Sequence, residues 1–344
     1  MKSVLAGILL LSSLATAEVT GVVVNKTTGK PQPDATVTIY KLGGAGMESL
    51  ESVKSGADGK FTTALPLQGP HLIQTAWDGV TYNHMLPPGR PTTGLTLEVY
   101  NATNKRPSTV KPDTHMVLLE PGAGQLSVNE SVIFANSGTL AYNDPENGTL
   151  RIFVPQPATG KISVRATAPQ GMPIEREAQK TAAPGVYKID FPIKPGETRF
   201  DVSYMIPLES GGLFEGKVLH GGDAVRFVAP AGVTLTSDAL ALLGQEPRTQ
   251  ASVFELKSPE FRVKVEGMGS LQAPPAAGND EEGGPGLQQI RPGVYDRFYP
   301  VLALALVILL LGFLLLYRRQ APVREAASTV PDPPKPVTKG KRRG

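Results

Sequence analysis

Four histidines are the first residues to test for chemistry. They open the stretches HLIQ (His71), HMLP (His84), HMVL (His115) and HGGD (His220). A hydrolytic zinc centre needs histidines and carboxylates clustered around an open coordination position. None of the four begins an HxxE or HExxH motif, and their spacings share no ligand pattern. The sequence therefore points away from a peptidase centre. It also lacks a G-x-S-x-G elbow and a Walker-type phosphate loop. The Gly-rich stretch from Gly43 to Gly46 has no Lys-Ser/Thr to hold a phosphate and magnesium. The chain has no cysteine, which excludes thiol nucleophiles, disulfides and thiolate metal sites. The expectation is a non-enzymatic chain with no catalytic residues, no metal and no cofactor.

Two stretches could still bind something. Asn143-Asp144-Pro145-Glu146-Asn147-Gly148 concentrates oxygen ligands that could take calcium. It lacks the alternation of an EF-hand loop, and Asp and Asn equally make local backbone bonds in a turn. Trp77, Tyr82 and His84 flank one Asp78-Gly79 pair. An aromatic pair with a polar neighbour could stack on a sugar ring, and these three are the candidate binding residues. The alternative places Trp77 in the core, in register with Ile73 and Thr75.

The elements that must position these residues read as strands. In TGKPQPDATVTIYK, residues 28–41, turn formers give way to strict alternation: Ala35, Val37 and Ile39 share one face. Val19–Val24, Lys60–Leu65, His71–Trp77, Val80–Leu86 and Leu95–Tyr100 read the same way, with Asp78-Gly79 as a two-residue hairpin turn. About seven short strands in residues 18–105 predict a small sandwich. Residues 106–268 predict a second, larger antiparallel β-sandwich region. Its strands are expected at His115–Glu120, Leu126–Phe134, Leu150–Val154, Lys161–Ala166, Val186–Phe191, Arg199–Ile206, Phe214–Leu219, Ala224–Val228, Val233–Thr236, Ser252–Leu256 and Phe261–Val265. This region is either one sandwich or two small ones meeting near Leu208–Gly212. Asp238–Leu243 fits a helical turn or a strand. With 37 glycines and 32 prolines in 344 residues, the composition suits a turn-rich all-β protein.

Gly21, Gly29, Pro31, Ala35, Asp58, Gly59 and Phe61 form a pattern. A Gly in the first strand is followed by a Gly-x-Pro turn, a small residue before an alternating strand, and Asp-Gly before an aromatic. In these residues the stretch 18–105 resembles the carboxypeptidase regulatory-like domain, although Gln32 and His71 stand where an aliphatic residue and a tyrosine are common. The resemblance covers about a quarter of the chain. It implies a transthyretin-like sandwich, related to carbohydrate-binding-like folds, of the kind carried by secreted and surface proteins, mostly bacterial. It implies fold and is nearly silent on activity.

The two ends set the expected address. Residues 1–17 have the basic, apolar and small-residue parts of a cleaved signal peptide. FYPVLALALVILLLGFLLLY, residues 298–317, would extend about 30 Å as a helix and match a bilayer core. Tyrosines border it, and a transmembrane helix is expected over 295–317. The tail 318–344 holds eight Lys/Arg against two acidic residues, so it belongs on the cytoplasmic side. That tail accounts for the +3 net charge; the exported part is near −4, which gives no reason to expect nucleic acid. Residues 269–294, rich in Gly and Pro, read as a flexible linker. Together these readings predict a single-pass protein of the cytoplasmic (inner) membrane. Its head, residues 18–294, would be periplasmic or extracellular and would bind a protein or a surface component. The alternative is a tethered carbohydrate-binding module.

Overall fold

In the computed structural model the chain divides into two compact units, residues 1–276 and 277–344. The described residues are 18–271, apart from 45, 66, 68, 156–157, 209–211 and 222–224, together with 302, 306 and 309–311. The expected signal peptide, the linker beyond Leu271, most of 295–317 and the basic tail lie outside them. Leu302, Leu306 and residues 309–311 are helical. Among the described residues no helix is long and apolar enough to cross a membrane.

The described residues of 18–103 make nine strands: β1 (Val19–Asn25), β2 (Lys30–Pro31), β3 (Thr36–Gly43), β4 (Gly46–Lys54), β5 (Lys60–Thr63), β6 (His71–Trp77), β7 (Val80–Leu86), β8 (Leu95–Val99) and β9 (Ala102–Thr103). One sheet is the antiparallel series β4-β3-β6-β7. The other is centred on β1, with β2 and β5 antiparallel to it and β8 parallel. The alternating residues meet between the sheets: Val19, Val23, Ala35, Val37, Ile39, Phe61, Ile73, Leu86, Leu97 and Val99 form one buried cluster. Gly21 is required by close approach. A Cβ there would lie 2.4 Å from the Leu95 carbonyl oxygen and 2.7 Å from the Phe61 ring. Asp78 and Gly79 both have positive φ (50° and 74°), and Trp77 pairs with Val80. This is the two-residue turn whose twist matches that of its strands.

The remaining fifteen strands among the described residues are β10 (Val110–Gly122), β11 (Gln125–Asn136), β12 (Ala141–Tyr142), β13 (Leu150–Phe153), β14 (Thr159–Thr167), β15 (Ile174–Arg176), β16 (Ala178–Lys180), β17 (Val186–Ile189), β18 (Gly196–Pro207), β19 (Leu213–Lys217), β20 (Val225–Ala229), β21 (Val233–Thr236), β22 (Leu240–Gln245), β23 (Ser252–Leu256) and β24 (Glu260–Gly267). Eight of them form one sheet, β15-β14-β18-β11-β10-β20-β23-β22. Two three-stranded sheets, β13-β17-β16 and β19-β24-β21, contribute to the same buried cluster as the inner face of the large sheet. Both expected arrangements are thus present in part. The large sheet is continuous, but its cover is split in two.

Of the two readings of Asp238–Leu243, the strand holds: β22 pairs with β23 from Leu240 onward. Three readings are corrected. The region is not purely antiparallel, because β10 pairs with β20 in parallel over His115–Leu118. A strand not anticipated, β4, follows the Gly-rich turn and pairs with β3 along its length. Its outward side chains are nearly all exposed, so there is no apolar alternation to read. Finally, the start of the expected linker is tied down. Gly269 N donates to Pro121 O at 3.5 Å, and the Ser270 hydroxyl and Leu271 N donate to Glu120 Oε1 at 2.7 and 2.8 Å.

The two sandwich regions touch through paired backbone. β9 and β12 run parallel, with Ala141 N donating to Asn101 O and Asn143 N to Thr103 O, both at 2.9 Å. Asn143 Nδ2 reaches Gly79 O at 3.3 Å, and the Thr27 hydroxyl bonds the Thr139 carbonyl. The hairpin carrying the candidate binding residues therefore lies at this junction.

Candidate functional site

Strand β7 puts Val80, Tyr82, His84 and Leu86 on one face. Val80 and Leu86 are buried, Tyr82 is half-buried and His84 is exposed. Trp77 is not a free platform. Its ring packs partly against the first core and its Nε1 donates to Asn101 Oδ1 at 3.1 Å, an oxygen that also accepts from Asn25 Nδ2. Tyr82 and His84 line a cleft of about 330 Å³ together with Tyr100, Gln170 and Lys194. The first sandwich supplies Tyr82, His84 and Tyr100, and the second supplies Gln170 and Lys194.

Lys194 is the group that sequence reading missed. It follows Ile193, whose backbone pairs with Tyr142, and this holds its stem at the junction. Its ammonium donates to the Thr81 carbonyl and lies 5.0 Å from the centre of the Tyr82 ring. Burial lowers its pKa to about 8, with repulsion from Arg176 adding to the effect. Among the described residues no carboxylate lies within ion-pair distance of it; Glu98, also in the cleft, pairs with Lys26 at 3.4 Å. Tyr82 is held in turn. Its hydroxyl donates to Tyr100 O at 3.0 Å, and burial raises its pKa strongly. One face of the Tyr82 ring is thus already engaged by a cation, an attraction that strengthens as water is excluded.

The second concentration of polar groups is inside the second sandwich. The alternation of β10, β11 and β18 aims His115, Glu130 and Tyr204 at the inner face among Val117, Val128, Val132 and Val202. Glu130 accepts from the Tyr204 hydroxyl at 2.8 Å and faces His115 Nε2 at 3.1 Å. His115 Nδ1 lies 3.1 Å from His220 Nε2, and His220 Nδ1 lies 2.5 Å from Gly221 O. The His115 and Glu130 side chains are only 6% and 10% exposed. Burial, then the charge of Glu130 and the bond to it, raises the Tyr204 pKa well above its usual value. Burial, followed by repulsion from His115, lowers the pKa of His220 to about 4. Histidines 105 positions apart are thereby neighbours. The parallel β10–β20 pairing, with Arg106 holding the His220 carbonyl, brings them together, and no local spacing encodes it.

The Asn143–Gly148 loop is a turn held from within. Asp144 Oδ1 accepts from Asn147 N at 3.0 Å, and the Lys188 ammonium donates to the carbonyls of Pro145 (3.1 Å) and Glu146 (2.5 Å). The Lys188 ammonium thus takes up two of the loop's backbone oxygens, and the Asp144 carboxylate is bonded to Asn147. Among the described residues no three His, Asp or Glu side chains converge as a metal cage.

No protein-family profile and no curated protein matches the chain. Among solved structures, it is similar to an M1 zinc metallopeptidase from Deinococcus radiodurans bound to a Tyr-Ser-Ala substrate, at 12% identity and a TM-score of 0.26. It is also similar to a two-domain M1 zinc metallopeptidase bound to L-arginine, at 13% identity and a TM-score of 0.24. Each match covers 46% of this chain and 42% of the other, so the chain spans less than half the length of those structures. At such scores neither likeness carries an argument about fold or chemistry.

Proposed function

We propose that the chain is a non-catalytic, single-pass envelope protein whose exported head binds an acidic group of a protein partner in the cleft between its two sandwich regions. One observation carries this reading: Lys194 is half-buried at the mouth of that cleft without a carboxylate partner among the described residues. An uncompensated buried cation is costly, and an incoming carboxylate offsets that cost. The first region is read as a carboxypeptidase regulatory-like module. Gly21 and Phe61, which match that pattern, are in contact at the centre of its core. Membrane anchorage rests on the uncharged apolar run 301–317 and the basic residues that follow it. The sugar-stacking alternative is weakened by the engagement of Tyr82 with Lys194 and of Trp77 with Asn101.

The test is a photo-crosslinking residue placed at Asn83 in the full chain, expressed in cells. A discrete protein adduct, lost when Lys194→Met is added, is the expected result. Crosslinks that persist in Lys194→Met would remove the acidic-group reading. Glycan binding abolished by Tyr82→Ala would replace it with the carbohydrate one.

A further inference from the structure

We propose that His115 and His220 form a two-histidine site for a first-row transition metal, copper in its divalent state above all. The argument starts from where the protons must sit. Gly221 O can only accept, so the ring N–H of His220 is on Nδ1 and its Nε2 carries a lone pair. The Glu130 carboxylate accepts from Tyr204 through one oxygen and from His115 Nε2–H through the other, so in the neutral form that binds a metal His115 presents Nδ1 as a lone pair too. Two acceptors then face each other across 3.1 Å. Such a pair repels unless a cation lies between them.

The geometry suits a metal ion in that position. Two ligands each about 2.0–2.1 Å from a metal, at an angle between square-planar cis and tetrahedral, stand roughly 2.9–3.4 Å apart. The ring centroids are 4.9 Å apart with the rings tilted by 55°, so the two nitrogens do not meet along a straight line through both rings. The supporting groups also match those of metal-bound histidines. Each ring gives its remote N–H to a carboxylate or a backbone carbonyl, which fixes its tautomer and raises its basicity. Tyr204 holds Glu130, and Arg106 Nη1 grips the His220 carbonyl at 2.8 Å. Glu130 adds one negative charge beside His115. The protein supplies two nitrogens, and His220, which is part-exposed, leaves the other positions to water. For a given set of imidazole ligands, affinity among the divalent first-row metals peaks at Cu(II).

The experiment uses the full chain and Cu(II) or Zn(II) alone as the probe. One Cu(II) per chain is expected, with pulsed paramagnetic resonance showing two coordinated imidazoles. His115→Gln and His220→Asn should each weaken binding by at least tenfold, and Glu130→Gln by about ten- to a hundredfold. His84→Ala and Lys194→Met should leave it unchanged, which separates this inference from the reading of the cleft. His220, on a connection between strands, supplies a variant that leaves the sheet intact should His115→Gln fail to fold. No bound Cu(II), equal binding by the His115→Gln/His220→Asn double variant, or a signal from fewer than two imidazoles would overturn the proposal. A proton would then be the cation between the rings.

Discussion

The two sandwich regions solve the same packing problem differently. In the first, the core is one apolar cluster from Val19 to Val99, and the buried polar groups stand outside that cluster, with Asn25 bonded to Gln32 and His71 Nδ1 lying 3.0 Å from Gly69 O. In the second, the same alternation aims a glutamate, a histidine and a tyrosine at a core that is otherwise as apolar as the first. Burying such groups costs stability unless each finds a partner, and even paired they seldom surpass a hydrophobic substitute. Among the described residues of the first region the one fully buried ionisable side chain, His71, faces a backbone carbonyl, whereas the second region gives up some stability to place a glutamate, two histidines and a tyrosine against one another.

The largest effects should come from breaking either core at its centre. Phe61→Ala should destabilise the chain by roughly 3–5 kcal/mol in denaturant titrations, because the cavity left beside Gly21 cannot collapse. Glu130→Ala should cost a comparable amount, about 2–5 kcal/mol, by leaving His115 Nε2 and the Tyr204 hydroxyl without their acceptor. The contrast lies in the combined variant. Replacing His115, Glu130 and Tyr204 together with Leu, Met and Phe should be neutral or stabilising by about 1–4 kcal/mol. A large loss in that variant would mean the polar cluster is there for stability, and the comparison would fail.

At the junction between the regions the expected effect is smaller and depends on pH. The amine of Lys194 holds its proton less tightly in the folded chain, with a pKa of about 8, than its ordinary value of 10.5. Between these values the unfolded chain binds more protons, so this group makes stability rise with pH from about 8 to 10.5; below 8 its penalty is constant. Lys194→Met should therefore stabilise at neutral pH by on the order of 1–3 kcal/mol, less whatever is lost with the bond to Thr81. That advantage should shrink above pH 8. An advantage independent of pH would show that the ammonium is solvated.

The smallest effects compare one hydroxyl in each region. Thr63 and Thr198 both bury a side-chain oxygen with no hydrogen-bond partner among the described residues. Thr63→Val and Thr198→Val should each be neutral or stabilising by up to about 1 kcal/mol, as seen in melting temperatures. A clear loss at either would reveal a partner such as a bound water.

Most strands could be read in the sequence because their inner faces alternate. Phe200, Val202, Tyr204 and Ile206 fall on the buried face of β18, and β6 and β7 begin and end where the residues indicate. β4 could not be read, since most of its side chains are exposed and Val53 alone among them packs against the core cluster. Asp78-Gly79 announced its turn because few residue pairs tolerate positive φ at both positions. The sites were less legible. Tyr82 and His84 do line the cleft, but Trp77 is tied up in structure, and nothing near Lys194 in sequence marks it as part of a cleft. His115 and His220 belong to strands and connections that meet through a long-range parallel pairing, and such pairings leave no trace in local spacing.

The central claim is that the cleft holds an uncompensated cation, and the most direct test is to titrate that cation. Lys194 can be followed by NMR after isotope-labelled reductive methylation of the full chain, with its signal assigned by its absence in Lys194→Arg. The account predicts that this amine titrates near pH 8 when the cleft is empty. A midpoint near the ordinary lysine value of 10.5 would contradict it, because the ammonium would then be hydrated or already paired and the cleft would have no unmet charge to offer a partner.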